Sequence, residues 1–234
     1  MRALLAGLLM IALAVAAGAE AWVPGFLAAR VADGLQASLG SATVQVQLTG
    51  FPALRMLWGR VDRLTVTVAG LEVDGLALES LRLEAAGVEL DVAALLRGQG
   101  WQPGDGDEVT VEAVIREEAL AELVRARLPA ELDVQVALAA GGMELRGRTS
   151  VLGLPVDVAV RGRMAPEAGG TRIVFVPEEI AVGGQVLAEW IAAGLRQAYT
   201  AAVDLGAAPV PLVVEAVVHE PGRVIVTGRP AFSG

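Results

Sequence analysis

Apolar and polar residues alternate with a period of two in run after run of this chain. Val44, Val46 and Leu48 alternate with Thr43, Gln45, Gln47 and Thr49, and Leu64, Val66 and Val68 alternate with Thr65 and Thr67. Leu81 and Leu83 alternate with Arg82 and Glu84, and Val109, Val111, Ala113 and Ile115 recur at every second position. Successive side chains of a strand point to opposite faces, so each run has one face to bury and one to wet. The pattern predicts half-buried strands. Further strands are expected around Leu76 and Leu78, from Leu132 to Leu138, Met143 to Arg146, Val156 to Arg163 and Thr171 to Val176. A terminal hairpin is expected from Val210 to Val218, turning at Glu220-Pro221-Gly222 and returning through Val224 to Thr227. Gly and Asp-Gly turns separate many of these runs, which favours antiparallel pairing.

The period changes in three places. After Pro24, Leu27, Val31, Leu35 and Leu39 recur every fourth residue, with Arg30, Asp33 and Gln36 between them and Gly40 as the stop. From Glu117 to Leu128, Leu120, Leu123, Val124 and Leu128 share one face; acids open the segment, Arg125 and Arg127 close it, and Pro129 ends it. Those charges complement a helix dipole at both ends. A third helix is predicted from Gln185 to about Ala202, with Leu187, Trp190, Ile191, Leu195 and Tyr199 on its apolar side. Val88 to Leu96 is ambiguous, and Gly98 to Asp107 is a Gly/Pro/Asp loop and the best candidate boundary. Strand runs separated by single helices, rather than strict βαβ alternation, predict an α+β fold: a long curved antiparallel sheet packed around two or three helices. Residues 22–234 are expected to form one domain, and no residue-level repeat relates the halves before and after Glu117.

The N-terminus carries an address. Arg2 precedes an unbroken apolar run from Ala3 to Ala17, and Ala17-Gly18-Ala19 or Ala19-Glu20-Ala21 offers a cleavage site for an export signal. The run falls short of the ~20 residues of a comfortable transmembrane helix. Residues 1–21 are therefore expected to be a signal peptide or a retained membrane anchor through residues 3–19. Either places the protein outside the cytoplasm, in a periplasmic or other extracytoplasmic part of the cell envelope.

The rest of the composition excludes most chemistry. The net charge is −9, every base is arginine, and aromatics are only 4% of the residues. No basic stripe or stacking platform for nucleic acid follows from that, and the acidity opposes simple electrostatic docking on anionic lipid. Cysteine is absent, which removes disulfides, thiolate nucleophiles and thiolate metal ligands. The one histidine, His219, stands beside Glu220 and Pro221 at the last hairpin, where a solvated surface position is expected. The serines lie in no G-x-S-x-G setting, and no lysine exists for a Schiff base or a Walker A loop. Asp105, Asp107 and Glu108 lack the spacing of an EF-hand and are expected to form a plain polar loop. No catalytic residue, metal site or cofactor is predicted. Two alternatives stay open beside simple binding: an apolar scaffold that oligomerises or meets an envelope partner, and a hydrolase built from two carboxylates brought together in space.

What remains is apolar surface. Residues AVILMFWYC make up 54% of the chain and glycine adds 28 of 234, so roughly two-thirds is apolar against the usual half. Phe51, Leu54, Met56, Leu57 and Trp58 gather between Gly50 and Gly59. Such a cluster is either core beneath a loop or a contact for lipid or membrane. Acyl chains need only an aliphatic groove, each buried methylene contributing about 0.8 kcal/mol. Candidate lipid contacts are Phe51, Leu54, Leu57 and Trp58 in this cluster, Leu120, Leu123 and Val124 on the second helix, and Trp190 and Leu195 on the third.

The run Val44-Gln45-Val46-Gln47-Leu48-Thr49-Gly50-Phe51-Pro52, followed by Leu54, Gly59 and the strand Arg60-Val61-Asp62-Arg63-Leu64-Thr65-Val66, resembles the hallmark of the LmeA-like phospholipid-binding family. The similarity extends through Gly70-Leu71-Glu72-Val73, the helix from Glu117 and the closing hairpin to Gly228, roughly Phe26 to Pro230 in all. The resemblance implies an exported bacterial envelope protein that binds phospholipid without catalysis and supports envelope biogenesis, with a β-rich fold similar to tubular, BPI-like lipid-binding proteins. Gly50, Phe51, Pro52 and Gly59 are the matching motif positions; glycine and proline there have backbone roles in shaping a turn. The partners expected are phospholipid or another acyl lipid and a membrane surface.

Overall fold

The computed structural model describes residues 18, 20, 22–36, 39, 42–97, 108–128, 133–151, 154–167, 170–187, 202–208 and 211–231. A helix, α1, covers residues 22–36. Strand β1 (Thr43–Thr49) follows, then a 3-10 helix (Ala53–Trp58), β2 (Arg60–Ala69), β3 (Glu72–Val73), β4 (Leu76–Ala77), β5 (Ser80–Glu89) and α2 (Val92–Leu96). The second half runs β6 (Glu108–Arg116), α3 (Glu117–Arg127), β7 (Asp133–Ala139), β8 (Gly142–Val151), β9 (Leu154–Pro166), β10 (Arg172–Val182), β11 (Gln185–Val186) and β12 (Ala202–Asp204). A second 3-10 turn (Leu205–Ala207), β13 (Leu212–Glu220) and β14 (Arg223–Pro230) complete it. The fold is predominantly antiparallel sheet with few helices, an α+β architecture. The chain forms two compact units, one made of Met1–Ala69 and Arg82–Thr110, the other of Gly70–Leu81 and Val111–Gly234.

In the first unit β1 pairs antiparallel with β2, matching Val44 with Val68, Val46 with Val66 and Leu48 with Leu64. Apolar residues thus face apolar residues across the ladder, a pairing that stabilises a sheet. β5 lies on the other side of β2. Helix α1 buries Val23, Leu27 and Val31, whereas Leu35 and Leu39 are only half-buried. Its four-residue spacing starts at Val23, ahead of Pro24, and Gly18, Glu20 and Trp22 are already helical.

The second unit holds two sheet segments, β6–β14–β13 and β11–β10–β9–β8–β7, with β12 also paired to β10. β8, β9 and β10 run 10, 13 and 11 residues, longer than the alternation alone predicts. The helix expected from Gln185 begins instead as strand. Gly183 and Gly184, at φ 59° and 78°, make a tight turn that returns Gln185 and Val186 onto β10. Two consecutive positive-φ residues are what a type I′ hairpin needs, and that turn fixes the backbone locally. Ala202–Asp204 is also strand on β10, and residues 188–201, with Trp190, Leu195 and Tyr199, lie outside the described residues.

Candidate lipid-binding site

Helix α3 lies on the apolar face of the five-strand segment because both of its ends are fastened. At its start, the Glu117 carboxylate accepts the Leu138 N–H at 2.6 Å, and the Glu117 N–H donates to Gly222 O in the last hairpin turn. At its end, Arg127 donates to the Asp74 carboxylate at 2.8 Å and to the Asp74 carbonyl at 3.1 Å. Asp74 also accepts the Asp204 N–H. The Arg127 hydrogen bond, and then the Asp204 N–H, hold the Asp74 carboxyl below its ordinary range. Leu120, Ala121 and Leu123 are buried beneath the helix, while Val124 is half-buried and Leu128 exposed.

Between this helix and the sheet is a pocket of about 700 Å³. Leu120, Leu123, Val124 and Leu128 form one wall; Met143 and Leu145 of β8, Val158, Val160 and Met164 of β9, and Ile173 and Phe175 of β10 form the other. Two sequence devices shape the sheet wall. Gly162 has no side chain, and a Cβ there would stand 2.9 Å from the Phe175 ring, so the ring lies over the gap in the Val160–Met164 row. Between Pro177 and Glu179 the β10–β9 register shifts, which brings Ile180 onto the same wall as Ile173, Phe175 and Pro177. An extra residue at such a bulge re-aims the side chains beyond it.

Among the described residues seventeen line the pocket, and of these Arg127 and Arg172 are charged. They share one neighbourhood, since both cations act on Asp74. Arg172 is also ion-paired with Glu167 at 3.0 Å, and both guanidiniums stay substantially exposed. An aliphatic cavity whose lining includes two exposed, ion-paired arginines offers apolar surface to a chain and hydrogen-bond donors to a polar head.

The opposite face of the same strands is polar. Its concavity is lined by Asp133, Gln135, Arg146, Arg148 and Asp157, and Arg148 lies between the two aspartates in the strand register. Arg148 is ion-paired with Asp157 at 2.8 Å, both side chains about 70% exposed, which is the chemistry of a solvated sheet face. Among the described residues no group of three or more His, Asp or Glu side chains could hold a metal ion.

Of the residues singled out from the sequence, Leu120, Leu123 and Val124 line this pocket. Phe51, Leu57 and Trp58 are exposed in the first unit, with Leu54 half-buried among them. Gly50, Pro52 and Gly59 frame the 3-10 helix: Pro52 precedes it, and Gly59 closes it at φ 84°. Trp190 and Leu195 lie outside the described residues. Sequence reasoning missed the sheet wall. The alternation in Met143–Leu145 and Val158–Val160 was legible, but the helix that covers that face could not be read from it.

His219 is not the solvated residue its position beside a turn predicts. It belongs to β13, is half-buried, and its Nε2 accepts the Met164 N–H at 3.0 Å. Burial first, and then the Arg163 cation, push its pKa below 6.5, with Glu178 opposing them. Only the unprotonated Nε2 can accept that bond. Because the unfolded state then binds the proton more readily, this contribution is complete above about pH 6.5 and is lost as pH falls through the lower folded-state value. The urea midpoint is expected to fall on acidification through that window, and His219→Phe is expected to flatten that part of the profile. An unchanged profile in His219→Phe would remove the histidine as its cause.

A helix fastened over an apolar sheet face, with a cavity between them, is an arrangement that can admit an apolar ligand. The LmeA-like phospholipid-binding family matches residues 18–229, and the chain belongs to that family. Neither the curated proteins nor the solved structures contain a match to it.

Proposed function

We propose that this protein binds a phospholipid without transforming it, holding acyl chain in the pocket under α3 and the phosphate near Arg127 and Arg172. The observation that carries the reading is the lining: among the described residues it comprises fifteen apolar residues and two arginines, whose carboxylate partners Asp74 and Glu167 stand outside it. Several lining residues, including Leu145, Val158 and Val160, are only half-buried, so apolar surface there is open to a ligand. Covering it with an acyl chain contributes about 0.8 kcal/mol per methylene, enough over a long chain to hold lipid without any covalent step. A helix laid on an antiparallel sheet supports kinship with tubular lipid-binding folds. The apolar N-terminal run supports an exported protein that carries or presents lipid within the cell envelope, in service of envelope biogenesis.

Organic extraction of the natively purified protein, followed by mass spectrometry, tests this. Phospholipid near one molecule per chain is the expected result. A ligand-free protein that also takes no lipid from phospholipid vesicles overturns it.

A further inference from the structure

The first unit carries a different feature, independent of the pocket. Trp22, Phe51 and Trp58 are 65%, 77% and 76% exposed, and Leu57 is exposed beside Trp58. Among the described residues, every exposed large aromatic lies in this unit, between positions 22 and 58. Nothing about the core requires them there. Helix α1 has two stripes one residue apart: Val23, Leu27 and Val31 are buried, while Trp22, Phe26 and Arg30 form the neighbouring column. In that column the Trp22 and Phe26 rings stack at 4.9 Å, and the Arg30 guanidinium stands 5.5 Å from the Phe26 ring centroid. The buried stripe serves the core, so the stacked one is surplus to folding.

A hydrogen bond joins this column to the second aromatic group. The Ala53 N–H donates to the Glu20 carboxylate at 2.8 Å, tying the start of α1 to the 3-10 helix that presents Leu57 and Trp58, two residues beyond Phe51. The start of α1 and the 3-10 helix are therefore neighbours in the first unit. The stretch of chain that bears the aromatics is less acidic than the rest. Residues 1–69 hold five arginines and three acids, whereas residues 70–234 hold thirteen arginines and twenty-four acids. Arg30, Arg55, Arg60 and Arg63 are all exposed. Immediately upstream in sequence is the apolar run Ala3 to Ala17, which leads into the helical residues that bear Trp22.

Exposed tryptophans beside arginines, next to an apolar segment, match the chemistry of the bilayer interface, where aromatic rings sit at head-group level and cations meet anionic lipid. We propose that the Trp22, Phe26, Phe51 and Trp58 surface, with Arg30, Arg55, Arg60 and Arg63, seats the protein on an anionic lipid bilayer. Glu20, Asp33 and Asp62 stand in the same stretch as these arginines, so residues 18–69 carry a net charge of +1 against −9 for the whole chain, and the aromatic rings rather than the charge dominate this surface.

The chain has no cysteine, so single spin labels can be placed without background. Full-length Trp22→Cys, Phe51→Cys and Trp58→Cys variants would be labelled and reconstituted into vesicles of phosphatidylcholine and phosphatidylglycerol, with Val218→Cys, 49% exposed in the second unit, as the aqueous reference. Labels at 22, 51 and 58 are expected to be relaxed more by oxygen than by an aqueous nickel chelate, and the label at 218 more by nickel. The oxygen preference at 51 and 58 is expected to shrink on pure phosphatidylcholine, and lack of any dependence on the anionic lipid overturns the role of the arginines. Nickel accessibility at 51 and 58 equal to that at 218 overturns the docking surface. So does immobilisation of these labels in detergent without lipid, which would mark a protein contact instead. Lipid extraction reads the pocket separately, so the two proposals fail by different measurements.

Discussion

Val160→Trp is expected to lower the affinity for phospholipid by about fiftyfold and to leave the protein folded. Val160 sits on β9, the middle strand of the pocket wall between β8 and β10, and it is half-buried. An indole in place of its isopropyl group would occupy the space of roughly three acyl methylenes, which at ~0.8 kcal/mol each removes ~2.4 kcal/mol of binding. Because the ring grows into an open cavity rather than a packed core, overpacking strain is small. The matching control is one residue away. Ala159→Trp points to the polar concavity on the other side of the same strand and is expected to bind lipid as the parent does. Displacement of a fluorescent acyl lipid, with thermal unfolding of both variants in parallel, gives the comparison. Equal loss in the two variants would mean that the strand matters for stability and that the pocket does not hold the acyl chain.

The contrast between Val160 and Ala159 also shows where the sequence was legible. Period two in Val156 to Arg163 tells that one face of β9 is more apolar than the other, and the antiparallel sheet follows from the turns between such runs. Helix α3 was equally clear, since its charges, its apolar face and Pro129 agree. What alternation cannot convey is which helix covers which sheet face. The contacts that decide it are distant in sequence: Glu117 to Leu138, and Arg127 to Asp74. The glycine pair at 183–184 shows the opposite failure: a strong local turn makes strand of Gln185 and Val186, the first residues of the predicted helix, whose stretch 188–201 lies outside the described residues. Arg172 carried no signal at all in the sequence. It acquires its place at the pocket from strand register, opposite Asp204, and from the neighbouring Asp74. The aromatic cluster at Phe51 to Trp58 was visible as surplus apolar surface. Its exposure, and the stacked column on α1 that accompanies it, could be recognised only once the buried stripe of that helix was known.

Gly59→Ala is expected to destabilise the protein by about 3 kcal/mol, roughly twice the effect of the same change at Gly70. Both glycines have positive φ, 84° and 74°, a region that costs an alanine about 1–2 kcal/mol. They differ in their surroundings. A Cβ at Gly70 meets nothing within 4 Å, whereas one at Gly59 would collide with the Leu90 carbonyl oxygen. That oxygen is backbone and cannot rotate away, and the Leu90 N–H donates to Gly59 O at 2.6 Å. Making room for the methyl group must therefore stretch or break that hydrogen bond, adding about 1 kcal/mol or more. For a chain of this size the sum corresponds to a fall in Tm of about 6–12 °C. The Gly59 N–H also closes the 3-10 helix on Met56 O, so the same glycine fixes the turn from which Leu57 and Trp58 project. If Gly59→Ala costs no more than Gly70→Ala, the close approach to Leu90 is not what holds that turn. If it costs the expected excess, the glycine at this position of the family hallmark is explained by backbone packing alone, and the aromatics it presents are free to serve a surface.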